Sequence, residues 1–248
     1  MKLVLDNAVE FKKAIDAVSV LIDEAEFIVS KEGLSLKATD PSQISMIDFK
    51  MPKSAFAEFE IENTTKIGVD LDYLSQVLSR SKAGEKLVIE LDEKESRLKL
   101  QLKDSFVRNF SVPLIEISSS DLPTPKVEFD AVIKAKAGMI QDGLKDALLV
   151  STHVTLGITS KNFFIKASSS KGDSANEIIK EDKNLKELTA KKECYAMFPL
   201  DYLQDMLKSA SSDTEVELSL KSNAPVKINY FVGKAELEYF LAPRIESS

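Results

Sequence analysis

Nucleophilic catalysis needs a base held against a hydroxyl or thiol and oriented by a third group. The sequence offers that chemistry very little, because His153 is the only histidine and Cys194 the only cysteine. His153 follows a predicted helix, and Cys194 lies in a strand-like run, ECYAMF. A partly exposed helix-end imidazole and a buried structural thiol are the plainer readings. Carboxylates cluster at Asp23, Glu24 and Glu26 and again at Asp92, Glu93 and Glu95. Hard cations need such groups wrapped into a loop, and these read as solvated turns. Ser168–Ser174 (SSSKGDS) lacks the Gly-x-x-x-x-Gly-Lys-Ser/Thr spacing that would supply a phosphate cradle, so it reads as a surface hairpin. No catalytic residue, metal site or cofactor is expected.

The remaining chemistry is electrostatic. The predicted helices carry Lys12, Lys13, Arg80, Lys145 and Lys208, with Lys82 just beyond the second helix. Such residues make phosphate contacts that attract any base sequence alike. No aromatic row or recognition helix points to base reading. The same helices also carry Asp16, Asp142, Asp146 and Asp205, so a basic strip and a solvated mixed face both stay open. A formal net charge of −7 argues against a surface that coats nucleic acid as a whole, while 33 lysines and arginines leave room for a local strip.

The elements that must position these residues can be read from periodicity. The chain has 248 residues, 44% hydrophobic and 29% charged, the composition of a globular protein with one large or two small domains. No apolar run approaches the roughly 18 residues of a membrane helix. The start, MKLVLDNAVEF, lacks the apolar core of a signal peptide, and one cysteine allows no disulfide framework, so an intracellular setting is expected. Residues 2–6 read as a strand. Phe11, Ala14, Ile15, Val18, Leu21 and Ile22 form one helical face. Short strands are predicted over 27–29, 34–37, 44–49, 56–61 and 67–69. Asp70 is placed to cap a helix over 71–81, and strands over 87–91, 98–102 and 106–112 complete a meander.

The tetrad Leu71-Asp72-Tyr73-Leu74 recurs as Leu200-Asp201-Tyr202-Leu203, with an offset of 200 − 71 = 129, close to half the chain. The same offset carries the first helical face onto Ile140, Gly143, Leu144, Ala147 and Val150, Lys37-Ala38 onto Lys166-Ala167, and Leu87, Ile89 and Leu91 onto Val216, Leu218 and Leu220. The chain is therefore a duplicated α+β unit of strand, helix, strands, helix and strands, with few helices on one side of antiparallel sheet. The segment Pro113–Lys126, with three prolines and three consecutive serines, breaks every period and reads as a connector. The expected organisation is a first domain over 1–112, the connector over 113–126 and a second domain over 127–248. After a strand ending at Leu241, the apolar tail Ala242-Pro243-Arg244-Ile245 implies docking, on its own domain or on something else.

LIDEAEF (21–27), KATDPSQISMIDFKMP (37–52), the first LDYL helix and the ending YFLAPRIE (239–246) resemble the archaeal-type DNA sliding clamp, the proliferating cell nuclear antigen (PCNA) family. The resemblance runs the length of the chain. It implies two similar clamp-type domains per chain and three chains closed head to tail around duplex DNA, with helices inside the ring and antiparallel sheets outside. It implies a processivity factor, not an enzyme, located in the cytoplasm of an archaeal cell with the chromosomal DNA. Lys12, Lys13, Arg80, Lys82, Lys145 and Lys208 match the family's DNA-facing sites. Ser19, Gln76 and Ser79 stand where the family commonly has basic residues. Edge strands would join subunits through Phe106, Arg108 and Phe110 of one chain and Glu177 and Ile179 of the next. Partners implied are double-stranded DNA without sequence preference, and DNA polymerase, clamp loader, flap endonuclease and ligase carrying PCNA-interacting peptides. The peptide pocket would take Gln43, Ile44, Met46, Leu122, Pro225, Phe240, Ala242, Pro243 and Ile245, with Thr39 replacing a family methionine beside it. A homotrimer, a subunit of a heteromeric clamp and an enzyme of unknown type are the readings that remain to be separated.

Overall fold

The computed structural model describes residues 1–117 and 122–244. Part of the expected connector, 118–121, and the expected pocket residue Ile245 lie outside the described residues. The chain divides into two compact units. One holds Met1–Pro41, Ile47–Leu122 and Val232–Leu237; the other holds Ser42–Met46, Pro123–Phe231 and Glu238–Ser248.

The first unit is built from β1 (Lys2–Leu5), α1 (Ala8–Ser19), β2 (Glu24–Ser30), β3 (Gly33–Thr39), β4 (Ser45–Pro52), β5 (Glu58–Glu60), β6 (Thr65–Asp70), α2 (Leu71–Leu78), β7 (Lys86–Asp92), β8 (Arg97–Lys103) and β9 (Val107–Pro113). Its strands run in the orders β5-β1-β7-β8-β9 and β4-β3-β2-β6. The second unit follows with β10 (Ala131–Lys136), α3 (Ala137–Leu148), β11 (His153–Ile158), β12 (Asn162–Ser169), β13 (Gly172–Ile179), β14 (Leu185–Ala190), β15 (Cys194–Pro199), α4 (Leu200–Leu207), β16 (Glu215–Leu220), β17 (Val226–Val232) and β18 (Ala235–Leu241). Its orders are β14-β10-β16-β17-β18 and β13-β12-β11-β15. The offset that relates the two LDYL tetrads also carries α1, α2, β6 and β8 onto α3, α4, β15 and β17 with identical ends, so the repeat inferred from the sequence is a repeat of backbone.

Local chemistry explains the helices. Asn7 caps α1, its Oδ1 accepting from the Glu10 N–H at 3.1 Å while its Nδ2 donates to the Glu10 carboxylate at 3.3 Å. Phe11, Ala14, Ile15 and Val18 form the buried face of α1. The helix stops at Ser19, short of the expected Ile22. The Leu21 N–H turns back to the Val18 carbonyl at 3.3 Å, and Leu21 and Ile22 stay buried in the turn that feeds β2. Asp70 caps α2 as expected, accepting from the Tyr73 N–H at 2.8 Å. That helix ends at Leu78, not Ser81, because bonds from Arg80 to Val77 and from Ser81 to Leu78 tighten its last turn to three-residue spacing. In the copy, Pro199 takes the place of Asp70 and presets φ at −64° without a side-chain cap.

Each unit buries one face of its helix pair against sheet. Phe11, Ile15, Leu74 and Leu78 do so in the first; Ile140, Leu144, Leu203 and Leu207 do so in the second. Gly143 lets α3 approach β12 closely, since an added Cβ would lie 2.6 Å from Ile165 Cδ1. Tyr230 and Tyr239 stack with ring centroids 6.0 Å apart, and the Tyr230 hydroxyl donates to the Met206 carbonyl at 2.7 Å.

After β9 the chain does not leave the first unit at once. The Ile115 N–H donates to the Gly68 carbonyl at 3.0 Å. The repeat maps this bond onto the one from the Arg244 N–H to the Met197 carbonyl, 2.7 Å long, so the start of the connector and the C-terminal tail are one element used twice. Gly68 is required for the first use, because an added Cβ would lie 2.1 Å from the Ile115 carbonyl oxygen. Gly68→Ala is therefore expected to cost about 1–3 kcal/mol, read as a lower urea midpoint at unchanged slope. An unchanged midpoint would show that the connector does not depend on this seat.

Candidate functional site

The basic residues picked out in the sequence all lie on helices or the turns that end them. In the first unit, Lys12 is half-buried and ion-paired with Asp16 one turn on. Lys13, Arg80 and Lys82 are exposed. In the second unit, Lys145 pairs with Asp142 at 2.8 Å with both side chains in solvent, and Lys208 is exposed just after α4. Lys13, Arg80 and Lys208 make no salt bridge with a described residue. These side chains present diffuse, partly neutralised positive charge.

β9 and β13 end their sheets among the described residues, so each presents one row of unpaired backbone groups. Apolar side chains crowd these edges. Phe106, just before β9, is 68% exposed, Val107 42% and Ile179 56%. Phe110 is half-buried. Glu177 accepts from Asn162 Nδ2 at 2.9 Å and lies 3.6 Å from Lys166. Arg108 behaves differently from its neighbours. Its guanidinium turns into its own unit, donating to both Glu85 carboxylate oxygens at 2.5 and 2.6 Å and to the Arg80 carbonyl at 2.7 Å. Glu85 also accepts from the Lys82 N–H at 2.7 Å. A buried carboxylate thus ties the basic turn Arg80–Lys82 to the β9 edge. Nothing in the sequence pattern pointed to Glu85.

Burial pushes the Glu85 carboxyl up, but the bonds from Lys82 and Arg108 and their charges outweigh it and hold the group below the ordinary glutamate range. The ion pair's contribution to stability is then full above the unfolded glutamate value, about 4.3, and fades as pH falls through the lower native value. Glu85→Gln is expected to flatten the acid limb of the stability–pH curve. Superimposable acid limbs for variant and parent would show the pair to be unlinked to folding.

The expected peptide pocket collects most of its members in the second unit. Ser42–Met46, although early in sequence, belongs there. The Ile44 carbonyl accepts from the Ala242 N–H at 2.8 Å, and Gln43 turns the chain with φ of 58°. Met46 and Phe240 are buried, Gln43 and Ile44 are exposed, and Pro225, Ala242 and Pro243 are half-buried. Leu122 falls in the first unit.

The groups weighed for catalysis are dispersed. His153 opens β11 and is not a helix-end residue; it contacts Thr152 and Arg244. Cys194 is buried, and burial, with the nearby Asp130 charge, pushes its thiol up to about 11, so it stays protonated and unreactive at neutral pH. Asp92 pairs with Lys99 at 2.5 Å and closes its own turn through the N–H groups of Lys94 and Glu95. Glu26 pairs with Lys66 at 2.7 Å. Ser168–Ser174 forms the hairpin between β12 and β13. No cluster of three metal-ligating side chains occurs among the described residues, and no helix among them is long and apolar enough to cross a membrane.

Residues 1–121 match the family model for the proliferating cell nuclear antigen N-terminal domain, and residues 123–245 match that for its C-terminal domain. A DNA polymerase sliding clamp of Methanococcus maripaludis is 37% identical over 245 residues, covering 97% of this chain and 98% of that protein. Among solved structures, PCNA of Thermococcus kodakaraensis superimposes with a TM-score of 0.94 at 26% identity, covering 98% of this chain and 99% of the other. A structure showing the C-terminal region of FEN-1 bound to A. fulgidus PCNA gives a TM-score of 0.89 at 27% identity, covering 100% and 99%. With both domains matched along almost its whole length, the chain belongs to the proliferating cell nuclear antigen family of DNA sliding clamps, which are processivity factors and not enzymes.

Proposed function

We propose that this clamp closes with two further copies of itself into a ring around duplex DNA and tethers replication and repair enzymes through their peptide motifs. The observation that carries the ring is the repeat applied to a contact. Ile44 and Ala242 are joined by a backbone hydrogen bond. The repeat offset moves Ile44 onward to Asp173, at the start of β13, and Ala242 back to Pro113, at the end of β9. Antiparallel continuation from that point brings Ile179 opposite Val107, with Phe106 alongside, and these are the exposed apolar side chains of the two edges. Pairing β9 of one copy with β13 of the next satisfies both rows of backbone groups and covers those side chains. A head-to-tail contact of this kind yields a closed ring when its rotation closes.

Inside the ring, Lys12, Lys13, Arg80, Lys82, Lys145 and Lys208 supply screened attraction to phosphates of any sequence. Retention is topological, because a closed ring leaves DNA only by opening, which a clamp loader performs. Polymerase, flap endonuclease or ligase bound to the ring then stays at high effective concentration near its substrate. Their peptides would lie on the surface built from Gln43, Ile44, Met46, Pro225, Phe240, Ala242 and Pro243. The FEN-1 segment bound to A. fulgidus PCNA supports that reading.

The purified chain is expected to have a native mass three times that of the monomer and to be retained on circular but not linear DNA. A chain that stays monomeric at micromolar concentration would refute the homotrimer; assembly only after a second, related chain is added would make it one subunit of a heteromeric clamp. Met46→Ala is expected to weaken a FEN-1 C-terminal peptide about fivefold or more while native mass is preserved. Equal affinity would remove this surface from the peptide site.

A further inference from the structure

Backbone pairing joins any two strand edges alike, so a ring built from copies of one chain needs side chains that tell its own edge from another. We infer that Asn109 and Glu177 supply that discrimination: the Asn109 amide of one copy donates to the Glu177 carboxylate of the next, an inference that rests on the ring reading above. Residues of an antiparallel strand bond alternately to one neighbour and the other. The Leu114 N–H donates to the Ser96 carbonyl and the Lys180 N–H to the Lys161 carbonyl. Even-numbered residues of β9 and β13 therefore bond into their own sheets, and odd-numbered ones direct their backbone groups outward. The register derived from the repeat, with Pro113 opposite Asp173, pairs odd with odd: Ser111 with Ala175, Asn109 with Glu177, and Val107 with Ile179. These odd-numbered residues also form the exposed face of each strand. Among these pairs, only Asn109 and Glu177 set a side-chain donor against a carboxylate.

Both side chains are held ready within their own units. Gln101 Nε2 donates to Asn109 Oδ1 at 2.9 Å. The amide oxygen is thus turned toward β8, and the two Nδ2 hydrogens, which have no partner among the described residues, are left for the edge. Glu177 accepts from Asn162 Nδ2 at 2.9 Å through one oxygen, and Lys166 Nζ lies 3.6 Å from the other. A carboxylate has about four acceptor positions, so a further donor can be taken. Opposite residues of a hydrogen-bonded pair lie about 5.5 Å apart at Cα, within reach of an amide–carboxylate bond. The pair also fixes register. A two-residue slip one way sets the carboxylate against Val107, and a slip the other way sets Ile179 against Asn109; each leaves a polar group facing an apolar one. A related chain with a carboxylate at the place of Asn109 would be refused, because like charges directly opposite repel.

The test uses the full chain and its assembly curve, native mass against concentration. Asn109→Glu keeps an acceptor for Gln101 but sets two carboxylates face to face, and is expected to raise the midpoint concentration about fivefold or more. Exchanging the residues, Asn109→Glu together with Glu177→Asn, restores one amide and one carboxylate and should return the midpoint to within about twofold of the parent. When tagged exchanged chains are mixed with parent chains, each should assemble with its own kind, because every mixed ring contains one junction with two carboxylates. An Asn109→Glu curve that overlays the parent, or exchanged chains that enter parent rings in random proportion, would overturn the pair while the ring stands. Exchanged chains that are folded by circular dichroism yet fail to assemble would do the same. A parent chain that stays monomeric at micromolar concentration removes the ring, and the pair with it.

Discussion

A strand at the end of a sheet exposes a row of backbone N–H and C=O groups that must be given to water or to another segment. That constraint organises this chain. β6 ends one sheet, and the connector meets it through the bond from Ile115 to Gly68; β15 ends another, and the tail meets it through the bond from Arg244 to Met197. β5 ends a sheet with only three residues, too short to recruit a partner. β14 places Lys186 and Glu187 on its edge and pairs irregularly with β10 at Lys134 and Ala135. β9 and β13, with seven and eight residues, are longer, and beside charged residues such as Arg108 and Glu177 they carry apolar side chains at their ends. These two long edges are the ones that the proposed ring would join.

The repeat shows how loosely a backbone constrains its sequence. One helix start is capped by Asp70, the other by Pro199; one uses a side-chain acceptor, the other a fixed φ. Ala14 and Gly143 occupy the same place on the first helix of each unit, and only the second has Ile165 pressing against it. Gly68 and Met197 receive the same hydrogen bond, but the connector lies so close to the sheet that no Cβ fits at Gly68, while the tail tolerates a methionine. What is held constant between the copies is burial periodicity and the lengths between turns, the quantities that decide which faces pack.

These are also the quantities a sequence displays. The LDYL tetrads, their constant offset and the helical face starting at Phe11 were legible because apolar spacing repeats and four letters mark its register. Helix ends were less so. Leu21 and Ile22 keep the helical period and are buried, yet the chain has already turned, since an apolar residue packs equally well from a tight turn. Arg108 reads as an edge residue ready for a neighbour, and its edge position is right. Its guanidinium instead serves Glu85, 23 residues earlier, and no local pattern encodes a partner that distance away. His153 was legible as a poor candidate for a base but not as a tail contact, because Arg244 lies 91 residues on and is brought to it only by the docking of the tail.

The same separation of scales explains how an acidic protein can hold DNA and still move along it. A net charge of −7 repels a polyanion at long range, but beyond a Debye length of about 8 Å in physiological salt that repulsion is screened. Within that distance the nearest cations decide. Lys12 and Lys145 are partly neutralised by Asp16 and Asp142, whereas Lys13, Arg80 and Lys208 stand in solvent. Lys12, Lys13 and Lys145 project from helices, and Arg80, Lys82 and Lys208 follow helix ends, and phosphate contacts from such side chains carry no base sequence. Strong, directed contacts would create a register and a barrier to leaving it. Weak, interleaved charges create neither, so in the ring proposed above retention would fall to closure and not to affinity.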